Sequence, residues 1–413
     1  MHLQSALGIG AILLVAWVMS ENRRAFPWRI VIIGLSMQIT FALLLLKISV
    51  ARAALLSLNG VVDALMAATR AGTSFVFGYT GGATPPFAVT NASAMSSFAF
   101  QVLPLVIVIS ALAALLWHWR VLPIVVGGFA WALRKSLGLG GAIGLGSAAT
   151  IFLGMIEAPL LIRPYLAKLT RSELFVLFTV GLSTVAGTVF VLYASILRNA
   201  VPGALGHILV ASVLSLFGAI VIAKIMIPGG AQTARDEAAD FEYCSSMDAI
   251  ARGTEDGLKL WLSIVAMLLV IVALVALADI ILGHLPDVAG APLTVERVFG
   301  WIFSPFVWLL GVPWREAATA GSLMGDKMVL NEFIAYLHLA ALPAAALDPR
   351  TRLIMVYAMC GFANLGSVGI MIASISGMAP DRRQDIVPLA LRALVSGTLA
   401  SSMTGAVIGL LPF

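Results

Sequence analysis

The most informative deficit of this 413-residue chain is charge. Only 11% of its residues are charged, whereas hydrophobic residues make up 61% and the mean hydropathy is +1.03. A soluble domain carries roughly a quarter of its residues as charged side chains. The deficit therefore excludes an ordinary soluble domain and predicts a polytopic protein in a lipid bilayer. The net charge of +5 is small for this length, so we expect no nucleic-acid-binding surface.

Cysteine and histidine are also scarce. The two cysteines, Cys244 and Cys360, lie in a polar and an apolar stretch respectively, so we expect neither disulfides nor cysteine-based metal sites. Few histidines or cysteines lie near the intramembrane acids, and no Lys-Ser/Thr follows the glycine-rich residues 138–146. We therefore expect neither an enzyme nor an ATP-driven pump, and no cofactor; any transport would be secondary.

Long apolar runs predict the membrane-spanning helices. We expect about eight of them, at residues 6–20, 30–46, 98–117, 175–196, 208–227, 261–282, 353–374 and 387–411. Residues 49–80 mix apolar and polar side chains at helical spacing, which is typical of a helix lying in the membrane interface. Two shorter segments interrupted by Gly or Pro, at about 138–165 and 301–328, predict re-entrant hairpins. The expected fold class is an all-α polytopic membrane protein.

Basic residues in the loops predict the orientation of these helices. No basic region precedes the first apolar run, so we expect a retained first helix with its N-terminus outside. The predicted inner loops then hold most of the Lys and Arg, as the positive-inside rule requires: Arg23, Arg24, Arg29, Arg120, Arg134, Lys135, Arg163, Lys168, Arg171, Arg235, Arg252, Lys259, Arg382 and Arg383. With this topology the two hairpins enter from opposite sides, which makes the two halves inverted repeats.

The topology divides the chain into four parts. Residues 1–120 would form N-terminal scaffold helices with the interfacial helix, and 229–290 a polar linker with one more scaffold helix. Residues 121–228 and 291–413 would form two transport repeats, each a re-entrant hairpin followed by two helices.

One motif occurs once in each repeat: Gly-Ser, nine residues, then Glu. The first copy runs from Gly146 to Glu157 and the second from Gly321 to Glu332. A carboxylate at membrane depth is costly and usually marks a substrate or ion pathway. Two such acids in corresponding broken segments predict the binding site of a secondary transporter.

A second pair of interruptions follows the hairpins. Residues 181–187 (GLSTVAG) and 361–367 (GFANLGS) place small polar side chains between glycines inside apolar helices. Glycine lets the backbone unwind or pack closely there, and Ser, Thr and Asn can then reach a polar solute.

These segments carry a resemblance to a known family. Glu157-Ala158-Pro159 with Arg163-Pro164, the run 331–336 (NEFIAY), and Gly361-Phe362-Ala363-Asn364 with Ser367 are similar to the signature segments of the concentrative nucleoside transporters. The likeness extends from about residue 5 to the C-terminus. It implies eight spanning helices, two hairpins, an interfacial helix and a homotrimer. It also implies nucleoside uptake across the bacterial inner membrane, driven by Na⁺ or H⁺.

The resemblance also assigns the substrate site. Glu332, Asn364 and Ser367 would hold the ribose hydroxyls, beside Asn331, with Phe362 against the solute. An ionised carboxylate with an amide can bind two vicinal hydroxyls through charge-assisted hydrogen bonds.

The first hairpin departs from the family pattern. Glu157 would line the nucleobase side, but Met155 and Ile156 stand where the family usually has Gln and Thr. Two side chains that would read the base have become apolar. Another ribosylated or sugar-like solute, or a transporter-derived sensor, is therefore an alternative to a nucleoside transporter.

The resemblance to the family also implies which residues would bind the coupling ion. Thr150 stands where Na⁺-driven members have Asn; Leu153 and Val185 could offer carbonyls and Thr184 a hydroxyl. Thr is a poorer ligand than an amide, and Asp326 adds a carboxylate where the family generally has an uncharged residue. We therefore prefer H⁺ over Na⁺ as the coupling ion.

Structural alternatives exist for several of these residues. The two hairpin acids, Glu157 and Glu332, could be structural and satisfied by Arg163, Lys327 or backbone N–H groups of the hairpins. Asp326 could pair with Lys327 or lie in an outer vestibule, and the hydroxyl of Thr184 could bond back to its own helix. The histidines near predicted helix ends, His338 among them, are interpreted as interfacial.

Overall fold

The computed structural model describes residues 2–90, 95, 97–139, 141–229, 243–288 and 290–411. The charged linker residues Arg235, Asp236, Glu237, Asp240 and Glu242 lie outside these ranges. The described residues are almost entirely helical and contain no strand, only one isolated bridge between Val288 and Ala291.

Eighteen α-helices cover the described chain. They are α1 His2–Val18, α2 Trp28–Lys47, α3 Ser49–Phe77, α4 Leu105–His118, α5 Val121–Leu137, α6 Gly141–Leu153, α7 Glu157–Leu161, α8 Arg163–Leu166, α9 Arg171–Ser183, α10 Gly187–Leu197, α11 Ala204–Met226, α12 Ser246–Leu282, α13 Val295–Leu309, α14 Trp314–Val329, α15 Glu332–Ala341, α16 Pro349–Met359, α17 Leu365–Met378 and α18 Arg383–Leu410.

Six stretches of the described helices are long and apolar enough to cross a membrane. They are Trp28–Leu46, Phe98–His118, Arg171–Leu197, Ala204–Met226, Ser246–Leu282 and Pro380–Leu410. The first helix, α1, is apolar but has only 17 residues, and a break separates α16 from α17, so that neither of these two reaches the length of a membrane span alone. The predicted amphipathic segment 49–80 forms α3, which is not among the six.

The helices of the two predicted transport repeats follow one another in the same order. In the first, α5 precedes the pair α6 and α7–α8, then the broken pair α9/α10, then α11. In the second, α13 precedes α14 and α15, then the broken pair α16/α17, then α18. The centre of the protein is built from α11 and α18, which are buried along most of their length and pack against each other, α9 and α16. The broken helices are therefore held against the buried centre of the protein.

The second hairpin lies further along the chain than the sequence indicates. Residues 301–328 are not one broken hairpin: α13 and α14 meet at a bend of 115°, and the hairpin itself consists of α14 and α15. Gly311 takes φ 112°, a backbone conformation that favours glycine, and Pro313 precedes α14. The helix α5, which occupies the position of α13 in the first repeat, is absent from the predicted elements.

The polar linker is also shorter than predicted, because α12 begins at Ser246 and not near residue 261. The Ser245 hydroxyl accepts a hydrogen bond from the Asp248 backbone N–H and caps the helix. Ion pairs one turn apart, Asp248 with Arg252 and Glu255 with Lys259, support this polar first part.

Candidate functional site

The tip of the first hairpin turns sharply between α6 and α7. Gly154 has φ 97°, and a Cβ at this position would lie 2.8 Å from the Cβ of Ala186. Glycine is therefore required both by the backbone and by the approach of the α9/α10 break. The turn delivers Met155 and Ile156 and starts α7 at Glu157, whose side chain is exposed toward a cavity.

The tip of the second hairpin is fixed by a helix cap. The Asn331 side chain accepts a hydrogen bond of 2.9 Å from the Ile334 backbone N–H, so α15 starts at Glu332. A carboxylate in the first turn of a helix is favoured by the partial positive charge of the helix N-terminus. Unlike Glu157, Glu332 is buried, with 4% of its surface exposed.

The two helix breaks cross each other beside the hairpin tips. Phe362 N–H donates to the Thr184 carbonyl at 3.2 Å, and a Cβ at Gly361 would lie 2.7 Å from the Ser183 carbonyl oxygen. Glycine therefore permits this crossing. The Asn364 side chain caps α17 by accepting from the Ser367 backbone N–H at 2.8 Å.

Hairpin tips and breaks together enclose a cavity of about 210 Å³. It is lined by the predicted substrate residues Met155, Ile156, Glu157, Asn331, Glu332, Phe362, Asn364 and Ser367, together with Leu153. Irregular backbone at membrane depth is tolerated only where it is buried in protein or lines a cavity, which is its position here.

The carboxylate of Glu332 is the most constrained group in the cavity wall. Its Oε1 accepts a hydrogen bond of 2.6 Å from the Tyr193 hydroxyl, and its Oε2 accepts one of 3.1 Å from the Asn364 amide. Lys327 is fully buried and interacts electrostatically with Glu332, but its ammonium group has no hydrogen-bond partner among the described residues. A buried cation and a buried carboxylate thus lie on the two arms of the second hairpin.

The rest of the cavity wall is mainly apolar. Met155 and Ile156 of the first hairpin, Val189 and Leu192 of α10, and several residues of α12 supply it: Leu260, Ile264 and Leu268, with the hydroxyl of Ser263. The cavity therefore has a polar end around Glu332 and Asn364, and a largely apolar remainder in which Glu157 is the charged exception. Such a division suits a solute with a hydroxylated part and a flat or apolar part.

Three of the five predicted cation-coupling residues are buried and do not line the cavity: Thr150 lies in α6 of the first hairpin, and Thr184 and Val185 lie at the α9/α10 break. Thr150 donates to the Gly146 carbonyl at 2.8 Å and Thr184 to the Val180 carbonyl at 2.9 Å, each within its own helix. Val185 is buried at the break. A Cβ at Gly187 would lie 2.7 Å from the Phe152 carbonyl oxygen, so the two segments pack closely.

Asp326, the fifth of these residues, is outside the cavity wall and does not pair with Lys327. Its Oδ2 is joined to Nδ1 of His338 by a hydrogen bond of 2.8 Å, which links α14 to α15. Asp326 is buried, whereas the His338 side chain is 44% exposed, and Glu296 of α13 interacts electrostatically with both. The interpretation of His338 as merely interfacial is therefore incomplete.

Several lining residues are absent from the sequence-based site. Tyr193 lies in the apolar run of α10, where a single tyrosine is typical of a residue that only packs against its neighbours. The residues of α12 belong to a helix interpreted as scaffold. The sequence signals for these residues are weak: the hydroxyl of Tyr193 and the hydroxyl of Ser263, each in an apolar helix.

Models of protein families match almost the whole chain. "Na+ dependent nucleoside transporter C-terminus" matches residues 207–409, its N-terminal counterpart matches 7–80, and "Nucleoside recognition" matches 99–200.

Similar proteins cover the same length. "Uncharacterized transporter YutK" of Bacillus subtilis is 38% identical over 98% of each chain. "Nucleoside permease NupC" of Helicobacter pylori is 33% identical over 98% of this chain and 97% of that protein. "Sodium/nucleoside cotransporter 1" of Mus musculus is 30% identical over 99% of this chain and 64% of its own length.

Solved structures share the fold. CNTnw in an inward-facing substrate-bound state is 34% identical, with a TM-score of 0.90 over 99% of this chain and 98% of that one. A doubly substituted variant of the same protein in an outward-facing state gives a TM-score of 0.91 at 34% identity. These likenesses confirm the all-α polytopic membrane fold predicted from the sequence.

Proposed function

Since the chain belongs to the concentrative nucleoside transporter family, we propose that it imports nucleosides across the bacterial inner membrane as a cation-coupled secondary transporter. The relatives are transporters and permeases, which confirms the prediction of a transporter and not an enzyme. The observation that carries the proposal is the buried carboxylate of Glu332, which faces the cavity beside Asn364 and Ser367.

The polar end of the cavity suits a ribose. A carboxylate has about four lone-pair sites, and Glu332 uses one on each oxygen for Tyr193 and Asn364. The remaining lone pairs can accept from two neighbouring hydroxyls, and such charge-assisted bonds are roughly twice as strong as neutral ones. Ser367 adds a hydroxyl at the same end.

The size and remaining surface of the cavity suit a small ring. Its volume of about 210 Å³ is below the roughly 300–1,000 Å³ of sites for drug-sized ligands. We place the base between Phe362 and the first hairpin, where Glu157 offers the acidic group and Met155 and Ile156 offer only apolar contact. This favours recognition of base shape over its hydrogen-bonding edge.

The apolar tip also supports the alternative solute. A ribosylated or sugar-like compound with a less polar aglycone would keep every contact of the polar end and gain apolar contact at Met155 and Ile156. A sensor derived from a transporter would bind the same solute without moving it.

For the coupling ion we prefer H⁺. Thr150 provides only a hydroxyl where an amide would be a stronger Na⁺ ligand. Asp326 and His338 form a hydrogen-bonded pair, and this pair can exchange a proton with solvent through the exposed side of His338. Na⁺ is the alternative, favoured by the names of the matching family model and of the sodium/nucleoside cotransporter among the relatives. No cofactor is needed for either ion.

One further property follows from the family. We propose a homotrimer in the lipid bilayer, in which the apolar surface of α12 that is exposed in the single chain would be covered. Cross-linking in native membranes measures the oligomer directly.

Uptake of labelled uridine and adenosine into proteoliposomes tests the function. Imposed Na⁺ and H⁺ gradients are applied separately. We expect accumulation under a proton gradient; accumulation that needs Na⁺ at fixed pH and ignores the proton gradient would overturn the choice of ion. If folded protein takes up neither nucleoside under either gradient, the substrate class is wrong and other ribosylated solutes are tried.

A further inference from the structure

Tyr193 connects the first repeat to the substrate acid of the second. It lies on α10, directly after the break in the first broken helix, whereas Glu332 starts the second arm of the second hairpin. The Tyr193 hydroxyl donates to Glu332 Oε1 at 2.6 Å, a length typical of a strong bond to a carboxylate. Tyr193 is 3% exposed and lines the cavity.

The ring of Tyr193 is held independently of this hydrogen bond. Its centroid is 5.1 Å from that of Tyr336 and 6.2 Å from that of Phe333, both on α15, and Phe333 in turn contacts Phe98. Aromatic packing of this kind fixes a ring without help from its polar tip. The hydroxyl is therefore presented to Glu332 at a set position, and the carboxylate orients to it.

The neighbouring tyrosine shows that a buried phenol here does not require a carboxylate. The hydroxyl of Tyr336 donates at 2.8 Å to the backbone carbonyl of Val356, which satisfies it within the core. Tyr193 instead bonds to Glu332, a buried acid of the cavity wall.

Hydrogen bonds on both oxygens determine how Glu332 faces the cavity. Tyr193 holds Oε1 and Asn364 holds Oε2, so the plane of the carboxylate is fixed and one lone pair on each oxygen is left. Two vicinal hydroxyls need two acceptors side by side, whereas a single hydroxyl needs only one and tolerates a rotated carboxylate.

We propose that Tyr193 is a positioning residue for Glu332 and thereby sets the preference of the transporter for ribosides over deoxyribosides. The inference rests on the proposed nucleoside uptake and adds to it a residue and a substrate class. Tyr193 acts through Glu332, from the opposite repeat, and the preference depends on its hydroxyl and not on its ring.

The test compares two isosteric variants, Tyr193→Phe and Tyr336→Phe. Each removes one buried hydroxyl from the same aromatic cluster, but only the first loses a bond to Glu332. Uptake efficiency in proteoliposomes is measured for uridine, 2′-deoxyuridine and 3′-deoxyuridine.

We expect Tyr193→Phe to lose about ten-fold in uridine uptake efficiency, mainly through KM, because hydrogen bonds to charged groups are the stronger ones. The deoxyribosides should lose much less, so the riboside preference shrinks. Tyr336→Phe should leave the ratio unchanged. Equal losses for all three solutes in Tyr193→Phe, or the same shrinkage in Tyr336→Phe, would overturn the proposal.

A second measurement separates this inference from the proposed function. The infrared carboxylate band of Glu332 is assigned in solute-free protein by difference against Glu332→Gln. It should shift in Tyr193→Phe and not in Tyr336→Phe, whatever the substrate is. A shift without any nucleoside uptake in the wild type would retain the positioning of Glu332 and reject nucleosides as substrates; an unchanged band would reject the positioning itself.

Discussion

The two hairpins meet at one cavity but present their acids in opposite ways. Glu332 of the second hairpin is buried and bonded on both oxygens, whereas Glu157 of the first is exposed toward the cavity. At the same distance in sequence before each acid, the second hairpin has the charged residues Asp326 and Lys327, whereas the first has the apolar residues Ile151 and Phe152. The repeated motif therefore preserves the position of the acid and not its environment.

This difference between the two acids indicates that the two hairpins have different roles in substrate recognition. A carboxylate fixed by neighbours recognises one arrangement of donors, while an exposed one beside apolar side chains adapts to several. We infer that the second hairpin recognises the common part of the substrates and carries the charges, and that the first hairpin tolerates variation.

The largest expected effect comes from exchanging the two acids for their amides. Glu332→Gln replaces one carboxylate oxygen by an NH₂ donor, so Tyr193 and Asn364 can no longer both donate to it, and the buried Lys327 loses its countercharge. We therefore expect uridine uptake to fall by at least about 100-fold. Glu157→Gln keeps a hydrogen-bonding group in an exposed position and should cost about ten-fold. Initial uptake rates in proteoliposomes measure both, with gel filtration to show intact assembly. Equal losses would break the comparison, and normal uptake in Glu332→Gln would refute the assigned site.

The next effect sharpens the role of the first hairpin. The double change Met155→Gln and Ile156→Thr restores polar groups that could read the base, so we expect the KM for uridine to fall about ten-fold. Val189→Thr is the matched control, because it adds one hydroxyl to the apolar wall on α10 without touching the hairpin. If the control changes KM as much as the double variant, polarity anywhere in the cavity suffices and the hairpin has no special role.

The charges of the second hairpin are tested by Asp326→Asn and His338→Gln. If this pair carries the coupling proton, either change should lower proton-driven accumulation by at least about five-fold while leaving nucleoside exchange at equal pH intact. Glu296→Gln is the graded comparison, since this acid interacts electrostatically with the pair but is not bonded to His338, and it should cost less than either change. Loss of exchange as well as accumulation would assign the pair to hairpin structure.

Sequence reasoning found the parts of the site that stand out from an apolar background. Glu157, Glu332 and Asn364 are polar residues in apolar segments, and the cost of burying them makes their position informative. The breaks are marked by glycine for the same reason: the backbone must depart from the helix there.

Sequence reasoning does not predict features that depend on contacts between residues distant in the chain. Tyr193 is a common residue for an apolar helix, and its partner is 139 positions away. His338 and Asp326 are 12 positions apart and meet only because α14 and α15 fold back on each other. Hydrophobic periodicity predicts too late a start for α12, because the first turns of this helix are polar and are stabilised by ion pairs and a cap.

The smallest expected effect concerns a second place where the repeats meet, at the loop after α1. Glu21 bonds to Arg171 at the start of α9 in the first repeat and to Arg392 of α18 in the second. The hydrogen bond from Arg171 is the main cause that lowers the pKa of Glu21 below its ordinary value of 4.5. A lowered pKa means that this stabilisation is fully present above pH 4.5 and is lost as the pH falls toward the folded-state value.

Glu21→Gln in detergent-solubilised protein should therefore lower the free energy of unfolding at pH 7 by about 1 kcal/mol or less, since both partners are partly exposed. The difference from the wild type should shrink at pH 4. Glu255→Gln is the control, because its ion pair with Lys259 lies within one helix and joins no repeats. A difference in thermal unfolding that is the same at both pH values would show that Glu21 acts through packing, and that the repeats are held together at this end without its charge.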